Sequence, residues 1–444
     1  MKHQPDLSFW KIWNLSFGFF GVQIAYSLQS ANISRIFATL GADPHSLSYF
    51  WILPPLMGLV VQPFVGLWSD KTWIPRLGRR IPYLLIGALA AIIVMCLLPN
   101  AGSFHFTVAG ALIFGLIALM FLDTSINMAM QPFKMLVGDM VNEKQKTFAY
   151  SIQSFLVNAG SILGFLFPFF FAWIGISNIA ADGVVPDTVI YSFYIGAAIL
   201  ILCVFYTVWK VKEMPPHQYA KFHGFEYNEK QESRIKSQDN EKSDFITLLR
   251  KAPKVFWTVG LVQFFCWSAF LFMWTYTTGA IAENVWDTTE VKSAGYQEAG
   301  NWVGILFAVQ AVGAVLWAWV IPLFKQKKTV YIVSLLLGAA GFISTFFIHD
   351  KFLLFFSYAL IGCAWAAMLA LPFTILTNAL SGKNMGTYLG LFNGTICLPQ
   401  IIAALLGSAI LSIAGSQAGM LVAAGISLIL GAVAVLWVKE KTAE

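Results

Sequence analysis

The sequence predicts an all-α membrane protein, twelve transmembrane helices in two pseudo-symmetric six-helix halves, and three observations carry that prediction. Of 444 residues, 58% are hydrophobic and only 11% charged, against about 25% charged in an ordinary soluble domain. The sparse charges cut the chain into a dozen apolar runs, each near the roughly 20 residues that a spanning helix needs. The basic residues then fall almost entirely on one side of those crossings. The same composition excludes disordered and nucleic-acid-binding chains, so the expected surroundings are the lipid bilayer and no nucleic-acid partner.

The runs lie at 10–40, 46–69, 81–98, 105–138, 148–176, 188–211, 254–283, 301–324, 329–348, 352–380, 385–413 and 416–438. Helices follow because backbone in hydrocarbon must satisfy its own hydrogen bonds. The start, MKHQPDLSFW, lacks the charged region, apolar core and cleavage site of a signal peptide, so the first run is expected to be a true span. With the N-terminus in the cytoplasm, all of the 28 basic residues except Arg35, Lys292 and Lys351 lie on the cytoplasmic side. One missed or added span would scramble that bias, so both termini are expected to be cytoplasmic.

Residues 212–252 hold 8 Lys/Arg and 7 Asp/Glu. They read as a solvated linker between an N-terminal half, 1–211, and a C-terminal half, 253–444. The halves repeat: at an offset of 240, Pro132-Phe133-x-x-Leu136 falls on Pro372-Phe373-x-x-Leu376, and the basic loop after span 2 is echoed by Lys325, Lys327 and Lys328 after span 8. Duplicated halves suggest a ligand site at their interface near the membrane midplane.

The five cysteines, Cys96, Cys203, Cys266, Cys363 and Cys397, sit inside apolar runs with no CxxC spacing and read as core residues. No metal-ligand cluster, phosphate-binding loop or catalytic triad pattern occurs. No cofactor, metal or enzymatic activity is therefore expected.

Ionisable residues inside the runs are rare, so the exceptions matter. Asp123 lies in the middle of span 4, where an ionised carboxylate costs several kcal/mol unless it faces a partner or cavity. Asn127, Gln131 and Lys134 follow at i+4, i+8 and i+11, which at about 100° per residue keeps all four on one face. Away from water a carboxyl favours its protonated form, so Asp123 can bind and release a proton as its surroundings open to either side. Other polar faces are Gln23, Ser27, Ser30 and Ser34 on span 1, Gln263, Trp267, Phe270 and Trp274 on span 7, and Asn393 with Gln400 on span 11. Amides and hydroxyls suit sugar hydroxyls, and a Trp face suits the C–H side of a pyranose; the same residues also serve as interhelical glue. After span 2, Gly66-Leu-Trp-Ser-Asp70-Lys71 precedes Arg76-Leu-Gly78-Arg79-Arg80. Asp70 there can pair with the arginines or sit at a helix N-terminus, making a latch between helices that separate on the cytoplasmic side.

On these residues the chain resembles the major facilitator superfamily, whose motif G-x-x-x-D-[RK]-x-G-[RK]-[RK] follows span 2; the longer middle here resembles the glycoside-pentoside-hexuronide group. Similarity to plant and bacterial sucrose or maltose proton symporters extends to Gly21-Val-Gln23, Pro44-His45, Val61-Gln62-Pro63, Leu122-Asp123, Asn127, Gln131-Pro132, Asp139, Leu371-Pro372-Phe373 and Leu389 through Gln400. The resemblance implies that Asp123 is the proton-coupling carboxylate and His45 an outer-loop histidine of sugar recognition. Lys134 stands where the plant members more often have arginine, which keeps the charge but loses the bidentate fork.

The expected function is proton-coupled symport of a disaccharide of the α-glucoside, maltose or sucrose type by alternating access. Gln23, Ser27, His45, Asn127, Gln131, Gln263, Trp267, Trp274, Asn393 and Gln400 are the expected substrate contacts, and Asp70, Arg76, Arg79, Arg80, Lys134 and Asp139 the expected gating set. The expected partners are a small-molecule sugar and a proton, and the expected setting is a monomer in a bacterial inner membrane. Sodium-coupled glycoside symport and a non-transporting sugar sensor stand as alternatives.

Overall fold

The computed structural model describes residues 5–223, 250, 252–379 and 391–438; within this set the backbone but not the side chain is described at 70, 143, 147, 216, 220, 221, 223 and 377–379. The central linker at 224–249 and 251, and the expected start of span 11 at 385–390, lie outside it. Among the described residues the N-terminal half contains α1 (Phe9–Thr39), α2 (Pro44–Phe50), α3 (Leu53–Lys71), α4 (Ile81–Leu97), α5 (Val108–Met140), α6 (Glu143–Trp173) and α7 (Asp187–Lys210), followed by the short α8 (Pro216–His223). The C-terminal half contains α9 (Lys254–Trp286), α10 (Ala294–Val320), α11 (Lys327–Phe347), α12 (Leu354–Ala379), α13 (Gly394–Ala414) and α14 (Gln417–Val435).

Eleven of these segments are long and apolar enough to cross a membrane, with α2 and α3 counting as one. Besides the eight-residue α8, the exception is α1: it is 31 residues long and buries Gln23, Ser27, Gln29, Ser30, Asn32, Ser34 and Arg35. Polar all along its buried length, it needs protein rather than lipid around it. The expected span at 46–69 divides at Trp51-Ile52, because Pro54 and Pro55 supply no N–H to continue α2 yet suit the first turn of α3. The eighth span starts at Ala294, seven residues before its expected start, because the Ser293 side chain caps the Tyr296 N–H and lets the helix include Glu298.

The halves repeat in three dimensions. α1 packs on α5, α6 and α7, and α9 packs on α12, α13 and α14; the α3–α5, α4–α5 and α4–α7 contacts recur as α10–α12, α11–α12 and α11–α14. Between the halves α6 packs on α10, and the symmetry-equivalent α13 packs on α3. Internal prolines also correspond, Pro132 in α5 and Pro372 in α12.

The bundle has a terminal face, which carries the first residues and the 72–80 loop, and a far face, which carries the 40–43 and 287–293 turns. Between described residues, the hydrogen bonds and ion pairs joining the halves all lie toward the far face: Ser34 to Trp274, Arg35 to Gln297 and Asn301, Thr39 to Gln297, His45 to Ser408, and Asp182 to Lys292. α6 and α10 meet there so closely that a Cβ on Gly304 would run into the Phe165 carbonyl oxygen.

Candidate functional site

Asp123 is 2% exposed. Its Oδ1 accepts a 2.5 Å hydrogen bond from Gln29 Nε2 of α1, while Asp123 Oδ2 and Gln29 Oε1 are both buried without a partner. Neighbouring Leu119, Leu122 and Ile126 are buried and fix the helix face that presents the carboxyl. A buried acid with one satisfied oxygen is costly, so the unpartnered oxygen marks a place for a proton or for a ligand donor.

A polar ladder descends from it. Asn127 Nδ2 donates to the Asp123 carbonyl (2.9 Å), Gln62 Nε2 of α3 donates to Asn127 Oδ1 (2.7 Å), and exposed Lys134 reaches Gln62 Oε1 at 3.4 Å. Gln131, half-buried, lies on the same stripe. The stripe faces the other half: Tyr26 stands within electrostatic reach of both Asp123 and Cys397 of α13, and Lys134 within reach of Cys397.

On the C-terminal side an aromatic cluster forms around α9. Trp274 stacks on Trp51 at 6.0 Å between centroids, and Trp365 of α12 meets Trp267, Phe270 and Trp274 at 5.8, 4.9 and 5.9 Å. Ser34 ties this cluster to α1, accepting from Trp51 Nε1 (2.9 Å) and donating to the Trp274 carbonyl (3.1 Å). Gln263 Nε2 reaches the Met368 carbonyl at 3.4 Å, leaving Gln263 Oε1 and Trp267 Nε1 buried without partners.

The remaining expected residues are scattered. Ser27 is fully buried, donates to the Gln23 carbonyl, and packs with Gln23 against Gly164 and Gly160 of α6. Gln400 is buried and donates to the Ile396 carbonyl. Asn393 is half-buried at the start of α13. His45 is exposed on the far face, its Nδ1 3.2 Å from Ser408 Oγ.

At the terminal face Asp139 at the end of α5 pairs with the arginines among the described residues: Arg79 Nη2 and Arg80 Nε contact its Oδ2 at 2.9 and 3.0 Å. Arg80 also donates to Ser69 Oγ at 2.5 Å, and Arg76 stands exposed. The Asp70 side chain lies outside the described residues. The cluster ties α5 to the start of α4 inside one half. Glu213, just after α7, accepts from the backbone N–H groups of Arg79 (2.9 Å), Arg80 (2.7 Å) and Ile81 (2.8 Å), and Tyr219 of α8 lies 3.9 Å under the Arg79 guanidinium. Burial pushes the Glu213 carboxyl up from its ordinary value, with the three N–H groups pulling part of the way back.

Gln29, Gln62, Trp51, Trp365 and Glu213 escaped the sequence-based site. Gln29 sits about 100° away from Ser30 on α1, off the selected stripe. Gln62 was visible within Val61-Gln62-Pro63, and the two tryptophans lacked a polar neighbour to distinguish them from lipid-facing ones. Arg35, conspicuous as a base off the cytoplasmic side, is fully buried and bonds Asn301 Oδ1 (2.7 Å) and Asn178 Oδ1 (2.9 Å). Among the described residues no three His, Cys, Asp or Glu side chains group to hold a metal ion.

The chain is 28% identical over 219 residues to the sucrose transport protein SUC3 of Arabidopsis thaliana, covering 44% of this chain and 36% of that protein. It is 22% identical over 450 residues to the sucrose transport protein SUT5 of Oryza sativa subsp. indica, covering 87% of this chain and 79% of that one. A shorter stretch, 96 residues, is 31% identical to the proton-associated sugar transporter A of Mus musculus, covering 22% of this chain and 13% of that protein. In fold it superposes on the nucleoside transporter NupG (TM-score 0.69, 14% identity, 96% and 99% coverage). The inward-open xylose transporter XylE from E. coli gives TM-score 0.66 at 16% identity, with 97% and 95% coverage. The Major Facilitator Superfamily profile matches residues 15–284 and 278–444. The chain therefore belongs to the major facilitator superfamily and is a membrane transporter, not an enzyme.

Proposed function

We propose that the protein imports a disaccharide, an α-glucoside of the sucrose or maltose type, together with a proton. The observation that carries this reading is Asp123, a buried carboxyl in the middle of α5 with one oxygen held by Gln29 and the other unpartnered. A proton taken up at Oδ2 from one side and released to the other couples its own descent to movement of the halves. The names of the relatives, sucrose transport protein and proton-associated sugar transporter, support sugar as cargo and the proton as driving ion.

In this reading sugar hydroxyls meet Gln23, Asn127, Gln131, Asn393 and Gln400, and the unpartnered Gln263 Oε1 and Trp267 Nε1 supply a waiting acceptor and donor. Trp274 offers a face to the pyranose. Ser27 acts through the α1–α6 contact, and His45 recognises sugar at the far-face entrance. Arg76, Arg79, Arg80, Lys134, Asp139 and Asp70 govern the terminal face. With both termini in the cytoplasm of a bacterial cell, the closed far face makes this a state open to the cytoplasm. One chain suffices, since each half supplies one wall. The proton carries one charge inward, so 100 mV of membrane potential contributes about 2.3 kcal/mol toward accumulation.

The test is uptake in proteoliposomes. Sucrose or maltose should drive proton uptake equally with and without sodium, and Asp123→Asn should lose accumulation against a gradient while keeping sugar exchange. Undiminished uphill uptake in that variant would overturn the coupling role.

A further inference from the structure

At the edge of the terminal face, the start of α1, the end of α5 and the end of α7 enclose a cavity of about 340 Å³. Lys11 comes to it from α1, and Lys210 and Lys212 from the end of α7 and just beyond; Leu15, Met140 and Val211 form an apolar floor. No carboxylate lines it. All three lysines are exposed, and among the described residues none takes part in an ion pair. The acids that adjoin lining residues in sequence are committed elsewhere: Asp6 accepts from Asn142, Asp139 pairs with Arg79 and Arg80, and Glu213 accepts from the backbone of 79–81.

Topology alone requires bases on this side of the membrane; it does not require three of them, from two segments far apart in sequence, around one concavity. Their surroundings fix the depth. Trp10 and Trp209 are strongly exposed, Phe9 packs on Trp10 and Trp13, and the Lys210 ammonium sits 4.2 Å over the Trp209 ring. Exposed tryptophans of this kind mark the interface where lipid headgroups begin. Lysine stems lie along apolar surface while their charges reach the headgroup level. A basic pocket between helix ends at that level, with an apolar floor, has the chemistry of an anionic headgroup site.

We propose that this pocket binds the phosphate of an acidic phospholipid, with Lys11, Lys210 and Lys212 around the phosphate and the acyl chains running down the apolar side. Val211 and Lys212 lead directly into Glu213, so a lipid held here also steadies the end of α7 where the linker leaves the bundle.

The experiment uses the purified full-length protein in nanodiscs and in detergent, with retained lipid read by native mass spectrometry. Phosphatidylglycerol should be retained preferentially over phosphatidylcholine. Each of Lys11→Gln, Lys210→Gln and Lys212→Gln should weaken retention about fivefold, the worth of one base at an anionic surface. Lys71→Gln and Lys325→Gln, which remove charges away from the pocket, should leave it unchanged and control for net charge. Equal retention of the two lipids, or an equal effect of the control substitutions, overturns the site. Displacement of phosphatidylglycerol by inorganic phosphate at comparable concentration overturns the lipid assignment and leaves free phosphate as the ligand.

Discussion

Arg35 of α1 bonds Gln297 of α10 twice across the boundary between the halves, Nε to the side-chain Oε1 at 2.8 Å and Nη2 to the backbone carbonyl at 2.9 Å. With Asn301 and Asn178, four of the five guanidinium N–H groups are met by neutral oxygens while the side chain is fully buried. Separation of the halves removes the two α10 partners and keeps Asn178, so these bonds belong to the closed far face alone. Arg35→Leu should strand buried acceptors on α10 and shift the population toward an open far face by at least about tenfold, since hydrogen bonds to charged groups are each worth roughly 1.5–3 kcal/mol. Spin labels at Asp182→Cys and Lys292→Cys would read the change as a longer distance. The ion pair those labels replace is 76% and 60% exposed and contributes little.

Gly304 should act in the same direction by a different mechanism. Gly304→Ala places a methyl against the Phe165 carbonyl, which belongs to the α6 backbone and cannot rotate away. Overpacking of this kind costs about 1–3 kcal/mol, charged only to the state in which α6 and α10 touch. The same spin-label pair should report opening, and combining Gly304→Ala with Arg35→Leu should give less than the sum of the two shifts, because Gly304 lies one turn from Asn301 on α10 and the two sites are close enough to couple.

Glu213 holds the linker against the N-terminus of α4. Glu213→Gln keeps one acceptor oxygen and replaces the other with an amide nitrogen, so at least one of the three backbone N–H groups is stranded, at about 1–3 kcal/mol. Thermal unfolding in detergent should show a lower melting temperature. The pH dependence is also signed: a carboxyl raised in the folded state stabilises fully below its unfolded range, and that stability is lost as pH rises through the folded one. Wild-type melting should therefore fall as pH climbs through that window, and the glutamine variant, with no proton to lose, should be flatter there.

Trp365 of α12 touches three aromatic residues of α9 in the central cluster, Trp267, Phe270 and Trp274. Trp365→Phe keeps an aromatic surface and should bind sugar nearly as well; Trp365→Ala should loosen the orientation of Trp274 and weaken affinity about tenfold, the lower part of what removing a buried aromatic platform costs. Sugar-dependent quenching of tryptophan fluorescence measures both.

The spans were legible because hydrocarbon imposes one requirement on every residue of a crossing, and eleven of the twelve expected runs correspond to described segments that meet it by length and composition. α1 shows the limit of that signal. Its Gln29 and Arg35 are tolerated only because α5 and α10 surround them, and the identity of the surrounding helix is tertiary information that periodicity does not carry. Asp123 was legible because a lone acid at mid-depth needs explaining wherever it points. Its partner Gln29 was not, since amides elsewhere on α1 looked equally suitable. Similarly, Arg79 and Arg80 announced a cluster, but two candidate acids lay within reach in sequence, and only the fold joins them to Asp139.

With Asp123 as the proposed proton site, its bond to Gln29 offers a way to separate coupling from transport. It links α1, which carries the Ser34 and Arg35 contacts to the other half, with α5, which carries the acid. Gln29→Leu preserves approximate volume and removes the one side-chain donor that the carboxyl has among the described residues, leaving both oxygens without one. Loss of a buried hydrogen bond to a group that must carry charge for part of the cycle costs about 1.5–3 kcal/mol, or roughly tenfold or more in the step where that charge appears. Proton-driven accumulation should therefore drop by at least tenfold, while counterflow of labelled sugar, which needs no net proton release, should fall much less. Asp123→Asn in the Gln29→Leu background should add nothing further to the loss of accumulation. If instead both activities decline in parallel in Gln29→Leu, the amide serves packing between α1 and α5, and the proton site stands without it.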